Sequence, residues 1–369
     1  MPDAARGSVD RTTDVTSAAA DHASSEDVRP DVRAWRTAPQ TGPVVWFALT
    51  FGLWIGALAV GLWSGVTLIR VLMVVPLTLA SAQMFTLAHD AGHGSFSTSR
   101  IVNAVVGRLA FVPSAHVFGL WRHHHDIHHR YTNLRGRDFV WTPVTADEYR
   151  AYPGWRRTLH RVYRHRSGLG LGLHYAVEIW APLMLWPRAR GQGRRDPMVV
   201  DALVLYGLLT ALAISAWGFV AVVDPGRLDD AGSWVSAGLL LFVLPLLGTH
   251  WLIGFVIYLN HTHPEIVWYD DPREWSRHQV QLEGSAGQRV PRWSPLPQRI
   301  LHHAAHHVDP GVPLRRLEGA QEYLVDTFGD RVVSYPWSRA AFGEILSRCK
   351  LYDYDRKQWL TYAAVEDDA

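Results

Sequence analysis

Four apolar stretches decide most of what this chain can become. Val44 to Trp63, Leu68 to Ala88, Met198 to Val223 and Val235 to Asn260 each reach the roughly 20 residues a helix needs to cross hydrocarbon. Lipid offers the backbone no hydrogen bonds, so such blocks must satisfy their own, as helices do. Trp46, Trp63 and Trp234 fall where an aromatic belt at the membrane boundary is expected. Two weaker blocks, Ile101 to Leu120 and Leu169 to Trp186, are interrupted by Arg108, Pro113 and His116 and by His174, Glu178 and Pro182. Ionisable groups at bilayer depth are costly, so both read as buried or interface-lying segments.

With four spans, both termini and the long middle segment share one side of the membrane. The connectors Ser64 to Thr67 and Asp224 to Ser233 lie on the other. The second connector carries Asp224, Asp229 and Asp230 against Arg227, whereas Trp121 to Pro197 is rich in arginine. The positive-inside rule then predicts a multi-pass protein of the cell (inner) membrane with its termini and middle segment in the cytoplasm. Arginine beside apolar blocks points to lipid headgroups as a partner, with no nucleic acid. Within the middle segment, Arg156 to Arg166 places Leu159, Val162 and Tyr163 on one helical side and arginines on another, as a membrane-surface helix would.

The ends differ from the body. Residues 1–40 are rich in Ala, Ser, Thr and Asp and are expected to form a disordered tail. No secretory signal is visible there, because the first apolar block lacks a basic start and a small-residue cleavage site. A membrane body is expected over 41–340 and a cytoplasmic tail over 341–369. Leu317, Ala320, Leu324 and Phe328 make one amphipathic stripe, which predicts a packed helix.

The chemistry is carried by histidine. The chain has twenty of them and one cysteine, Cys349, which excludes an internal disulfide, a cysteine iron–sulfur centre and a structural cysteine zinc site. Any metal is held by histidine or carboxylate. Three groups stand out: His89-Asp90-Ala91-Gly92-His93, then His123 to His129, then His302 to His307. A spacing of four puts His89 and His93 on one helix face, and H-x-x-H-H brings three rings to one side of a helix. Four spans carry all three groups to the cytoplasmic side. One nitrogen each from His89, His93, His125, His128, His129, His303, His306 and His307 exceeds the three or four that one zinc takes, so two metal ions fit better. Imidazole suits Zn, Cu and Fe alike. Asp90 and Asp126 sit inside the groups, where a carboxylate holds imidazole N–H groups, and Asn133 and Asp138 are further candidates for that task. His123, His124 and His302 are expected in supporting roles, and His116 and His250 as satisfied core histidines.

The strings His89-Asp-Ala-Gly-His93-Gly-Ser-Phe, Trp121-Arg-His-His-His-Asp-Ile-His-His129-Arg-Tyr-Thr-Asn133, Tyr258-Leu-Asn-His-Thr-His-Pro264 and His303-Ala-Ala-His-His307 resemble the histidine boxes of the membrane fatty acid desaturase family. Within it they are most similar to the delta-12 and omega-3 acyl-lipid branch. That branch usually has a further His or Asn shortly before the third box, where this chain has Leu296-Pro297-Gln298-Arg299. The resemblance implies an all-α integral membrane fold: four transmembrane helices with a helical cytoplasmic cap carrying a histidine-ligated di-metal site. It implies two non-haem iron ions held by the box histidines, and it adds His261 as a ninth ligand. It further implies O₂ as co-substrate, a fatty-acyl substrate borne by lipid, coenzyme A or carrier protein, and a double bond as product. Electrons come from outside, because the chain has no dinucleotide fingerprint, cysteine cluster or haem motif; a ferredoxin-like carrier is implied. A hydroxylase, epoxygenase, acetylenase or ketolase on the same scaffold is the nearest alternative, and a histidine-rich metal transporter is the alternative of another class.

Overall fold

The computed structural model describes residues 30–36, 41–187, 195–290 and 298–366. It is mostly helical. Four helices are long and apolar enough to cross a membrane: α1 (Thr41–Ser64), α2 (Thr67–His93), α7 (Arg195–Val223) and α8 (Ala231–His261). Between α2 and α7 lie α3 (Arg100–Ala110), α4 (Phe118–Tyr131), α5 (Gly154–Tyr163) and α6 (Gly170–His174), the last running on through a π-helical stretch at Tyr175–Trp180. Beyond α8 come α9 (His303–Val308), α10 (Leu317–Phe328) and α11 (Arg339–Arg348). Neither interrupted block yields a helix of spanning length and hydropathy.

The long helices are apolar outside as well as inside. Leu49 is 62% exposed, Val75 61% and Val222 83%, an apolar surface that water would not tolerate over such an area. The chain is therefore a membrane protein. At one end, the hairpin of α1 and α2 is fastened to the start of α8 by Arg70, which is buried. Its guanidinium donates to Gly61 O at 3.3 Å, Ser233 O at 2.8 Å and Ser233 Oγ at 2.9 Å. Three acceptors offset the cost of burying the charge. Arg227 adds bonds to Leu62 O and Trp63 O, each 2.8 Å.

At the other end, α2 and α8 finish with histidine, and α4 and α9 pack across them. Gly94, at φ +76°, turns the chain directly after His93, a conformation that costs glycine nothing. A Cβ on Gly92 would lie 2.5 Å from the Trp121 ring, so only glycine lets α4 approach α2 this closely. A core of Leu259, Leu301, Ala304, Ala305, Leu317, Ala320 and Leu324, all fully buried, supports α9 from behind. The amphipathic stripe from Leu317 thus packs as its spacing predicts.

Several expectations need correction. The first forty residues are not all a disordered tail, since Val32 is fully buried, Trp35 packs its ring 5.0 Å from that of Tyr323, and Arg36 grips Asp309 at 2.6 and 2.9 Å. Residues 1–29 and 37–40 lie outside the described residues. The segment from 341 onward is folded onto the body, with Cys349, Leu351 and Tyr352 fully buried, and is no simple tail. The described part is also not purely α. β1 (Gly287–Arg289) pairs in parallel with β2 (Ser334–Pro336), and β3 (Leu351–Asp353) pairs antiparallel with β4 (Gln358–Leu360). On α5 the buried side is His160 and Tyr163, while Val162 faces outward.

Candidate metal centre

All nine histidines expected at the centre come together at the ends of α2 and α8. One group joins His89 and His93 from α2, His125 from α4 and His306 from α9; the other joins His128 from α4, His261 from α8, and His303 and His307 from α9. In each group one ring nitrogen per residue lies within 4.8 Å of the others. His129 stands between them. Its Nε2 is 3.0 Å from His125 Nε2, and its ring centroid is 4.4 Å from that of His307 and 4.6 Å from that of His306.

Hydrogen-bond accounting shows that the second group suits a cation. His128 Nδ1–H donates to Asp138 Oδ1 at 2.9 Å, and His303 Nδ1–H to Ile300 O at 3.1 Å. Thr132 Oγ1 gives its own hydrogen to His128 O, which leaves a lone pair for His307 Nδ1–H at 3.2 Å. A neutral imidazole has one N–H, so the Nε2 atoms of His128, His303 and His307 carry lone pairs. Yet these atoms converge: His128 and His261 Nε2 are 3.2 Å apart, His261 and His303 2.9 Å, and His303 and His307 3.1 Å. His261 can supply only one hydrogen among them. A metal ion turns this crowd of lone pairs from repulsion into coordination.

The first group is held differently. His89 Nδ1, His93 Nε2 and His306 Nε2, together with His129 Nδ1, are buried with no hydrogen-bond partner among the described residues. Trp121 stacks on His125 at 4.4 Å and meets His89 edge-on at 5.3 Å, so aromatic packing orients these rings. His93 and His125 remain half-buried, whereas every member of the second group is buried. Burial, then neighbouring histidines, pulls His125, His129, His303, His306 and His307 well below the ordinary histidine value near 6.5. All five are thus in the neutral form that coordinates metal.

The carboxylates sort unevenly. Asp138 meets the expectation and does more, since its Oδ2 accepts from Asn133 N and its Oδ1 also from Val140 N, both at 2.9 Å. Asp90 does not hold an imidazole: its Oδ1 is 3.9 Å from His89 Nδ1, and its Oδ2 accepts from Leu314 N at 3.0 Å. It ties the first box to the chain beyond the third. Asp126 points outward between Arg122 and Arg130. Asn133, at φ +59°, donates its side-chain amide to Val267 O and Gly284 O rather than to an imidazole. Thr132 and the carbonyl of Ile300 were not anticipated. His116 is a satisfied core group, bonding Ser114 Oγ at 3.0 Å and Tyr175 Oη at 2.7 Å, whereas His250 bonds Ser114 O at 3.2 Å and leaves its buried Nδ1 without a partner among the described residues. His124 Nδ1 donates to Leu120 O and lies outside both groups.

An apolar cavity adjoins the rings. Its lining runs along α2 from Ala82 through Phe85 and Thr86 to His89, and along α8 from Leu252 through Ile253, Val256 and Ile257 to His261. The histidines therefore lie at one end of a greasy slot between two long helices.

The family model described as fatty acid desaturase matches residues 67–339, well over half the chain. The chain belongs to the fatty acid desaturase family. Similar curated members include the sn-1 oleoyl-lipid 12-desaturase of Picosynechococcus sp., 30% identical over 73% of this chain and 73% of that protein. The chloroplastic omega-6 fatty acid desaturase of Spinacia oleracea is 27% identical over 73% of this chain and 57% of its own length. The match to that of Glycine max is 27% identical and covers 74% of this chain and 60% of the soybean protein. The chain thus spans less than two thirds of the plant desaturases it matches. Long apolar helices ending in histidine clusters are what this member of the family displays.

Proposed function

We propose that this desaturase-family protein introduces a double bond into a fatty-acyl chain, using O₂ at a centre of two non-haem irons. The observation that carries this is the junction of two four-nitrogen groups with an apolar slot. Iron bound there would supply the redox chemistry that O₂ and an unactivated C–H bond require. His89, His93, His125, His306, His128, His261, His303 and His307, with His129 between the groups, would hold it. In the balanced reaction the substrate loses two hydrogens, O₂ takes these with two further electrons and two protons, and two waters leave.

The chain's own residues do the rest. Asp138, Thr132 and Ile300 O fix the Nδ1 protons so that the Nε2 lone pairs face inward. The slot holds an acyl chain extended and dry, with a chosen pair of methylenes beside the nitrogens. A chain borne by a membrane lipid suits a slot between two spanning helices, and the names of the relatives support that carrier. Four spans, with the acidic connector Asp224 to Ser233 on one side and arginine on the other, support a cell-membrane protein whose histidine centre faces the cytoplasm. The long helices carry few charges and the histidines gather at one end, which disfavours a metal transporter.

The test is expression in a host whose lipids are profiled by mass spectrometry, with metal analysis of the purified protein. A loss of two mass units and about two irons per chain are expected. A gain of sixteen mass units would indicate a hydroxylase, and one zinc with no iron would sink the proposal.

A further inference from the structure

The first histidine group reaches the surface beside a basic helix face. Along the outward face of α4, Arg122 and Arg130 are exposed, and the single carboxylate between them, Asp126, is one turn from each. Arg122 lies against the first box, its Cγ 3.4 Å from where a Gly92 Cβ would stand. His125, about one turn along α4 from Arg122, is half-buried like His93. Among the described residues no large apolar side chain is exposed between Val105 and Trp155. Immediately beyond, Trp155 is 66% exposed and Leu169 73%, with Arg156 and Arg157 nearby. That second surface suits lipid. The α4 face, basic and free of grease, suits a soluble partner.

We propose that the outward face of α4, where Arg122 and Arg130 lie beside the half-buried His125, is the docking site of a small acidic one-electron carrier. The inference rests on the desaturase reading, which needs two electrons per double bond from outside a chain with one cysteine. Each docked carrier gives up one electron and is oxidised, the centre is reduced by one, and two dockings complete a turnover. Opposite charge speeds the encounter, and the closeness of Arg122 to the first box sets where the carrier must sit.

The experiment uses the full chain in detergent with an acidic plant-type [2Fe–2S] ferredoxin. Binding is read first with oxidised ferredoxin at low salt, where no electron moves and no metal is needed. The double variant Arg122→Glu with Arg130→Glu is expected to bind tenfold or more weakly and to slow ferredoxin reoxidation in proportion. Iron content and reduction by dithionite stay unchanged, and added salt weakens the wild type more than the variant. The pair Arg156→Glu with Arg157→Glu should bind as the wild type does. The proposal is overturned if the wild type ignores ferredoxin, if the α4 variant binds normally, or if it loses affinity for anionic vesicles instead. If ferredoxin binds through these arginines while no lipid gains a double bond, the reaction is misread and the docking face stands.

Discussion

The two histidine groups use the same side chain to different ends. In the buried group, three of four rings have their Nδ1 hydrogens tied to Asp138, Ile300 O and Thr132, so the lone pairs are aimed before any metal arrives. In the half-open group, Trp121 packs the rings and several ring nitrogens have no partner among the described residues. One half is pre-organised and closed; the other is accessible and looser. Access and rigidity are thus divided between two sites a few ångströms apart.

The largest effect should come from the buried half. His128→Ala removes a ring at the meeting point of Asp138 and His261, and should cut double-bond formation more than about a hundredfold, beyond the 10–100-fold typical of losing a supporting group. Lipid profiling together with iron content checks this. Asp138→Asn keeps the shape but sets an amide N–H against Asn133 N–H and weakens the hold on His128. Iron affinity should fall about 10–100-fold, read by titration, while the half-open site changes less. Treating the iron-loaded protein with a chelator should release metal in two phases, the half-open group losing its ion about tenfold or more faster, as the 10–100-fold worth of supporting bonds implies. A single phase would erase the distinction. Thr132→Val removes the acceptor of His307 Nδ1, a bond worth about 1 kcal/mol, so iron affinity should drop only about fivefold.

The smallest effect lies outside both groups and serves as a baseline. Burial, then the charges of Arg164, Arg156 and Lys350, lowers His160 to about 3. Its unfolded value lies near 6.5, so between these limits the unfolded chain binds more protons and stability falls as pH drops. His160→Gln should flatten the acid side of a thermal stability profile below about pH 6.5. A profile unchanged by the substitution would show that His160 does not contribute.

Much of the centre was legible because its spacing is periodic. Rings at i, i+3 and i+4 must share a helix face, so the three boxes announce their convergence once the spans set the topology. His261 was legible only by resemblance, since a lone histidine ending an apolar helix carries no spacing. Adjacency misled where direction mattered. Asp90 sits next to His89 in the chain, yet its carboxylate turns to Leu314 N, 224 residues away. Thr132 bears on His307 across 175 residues, a relation no local pattern encodes. Strands of three residues and the burial of Val32 escaped for a similar reason, as such short pieces are set by partners distant in sequence.

The ion pair of Arg36 with Asp309 bridges 273 residues, joining chain made before the first span to chain made after the last box. During synthesis α1, α2, α7 and α8 can leave the ribosome and insert while the third box is still being made. The nitrogens of α9 arrive last, and the early strap at Val32 to Arg36 is already waiting to clamp the turn at Asp309 just beyond them. A chain cut before His303 would keep six of the nine rings and lack His303, His306 and His307, so the nest closes only where chain from both ends of the sequence has met.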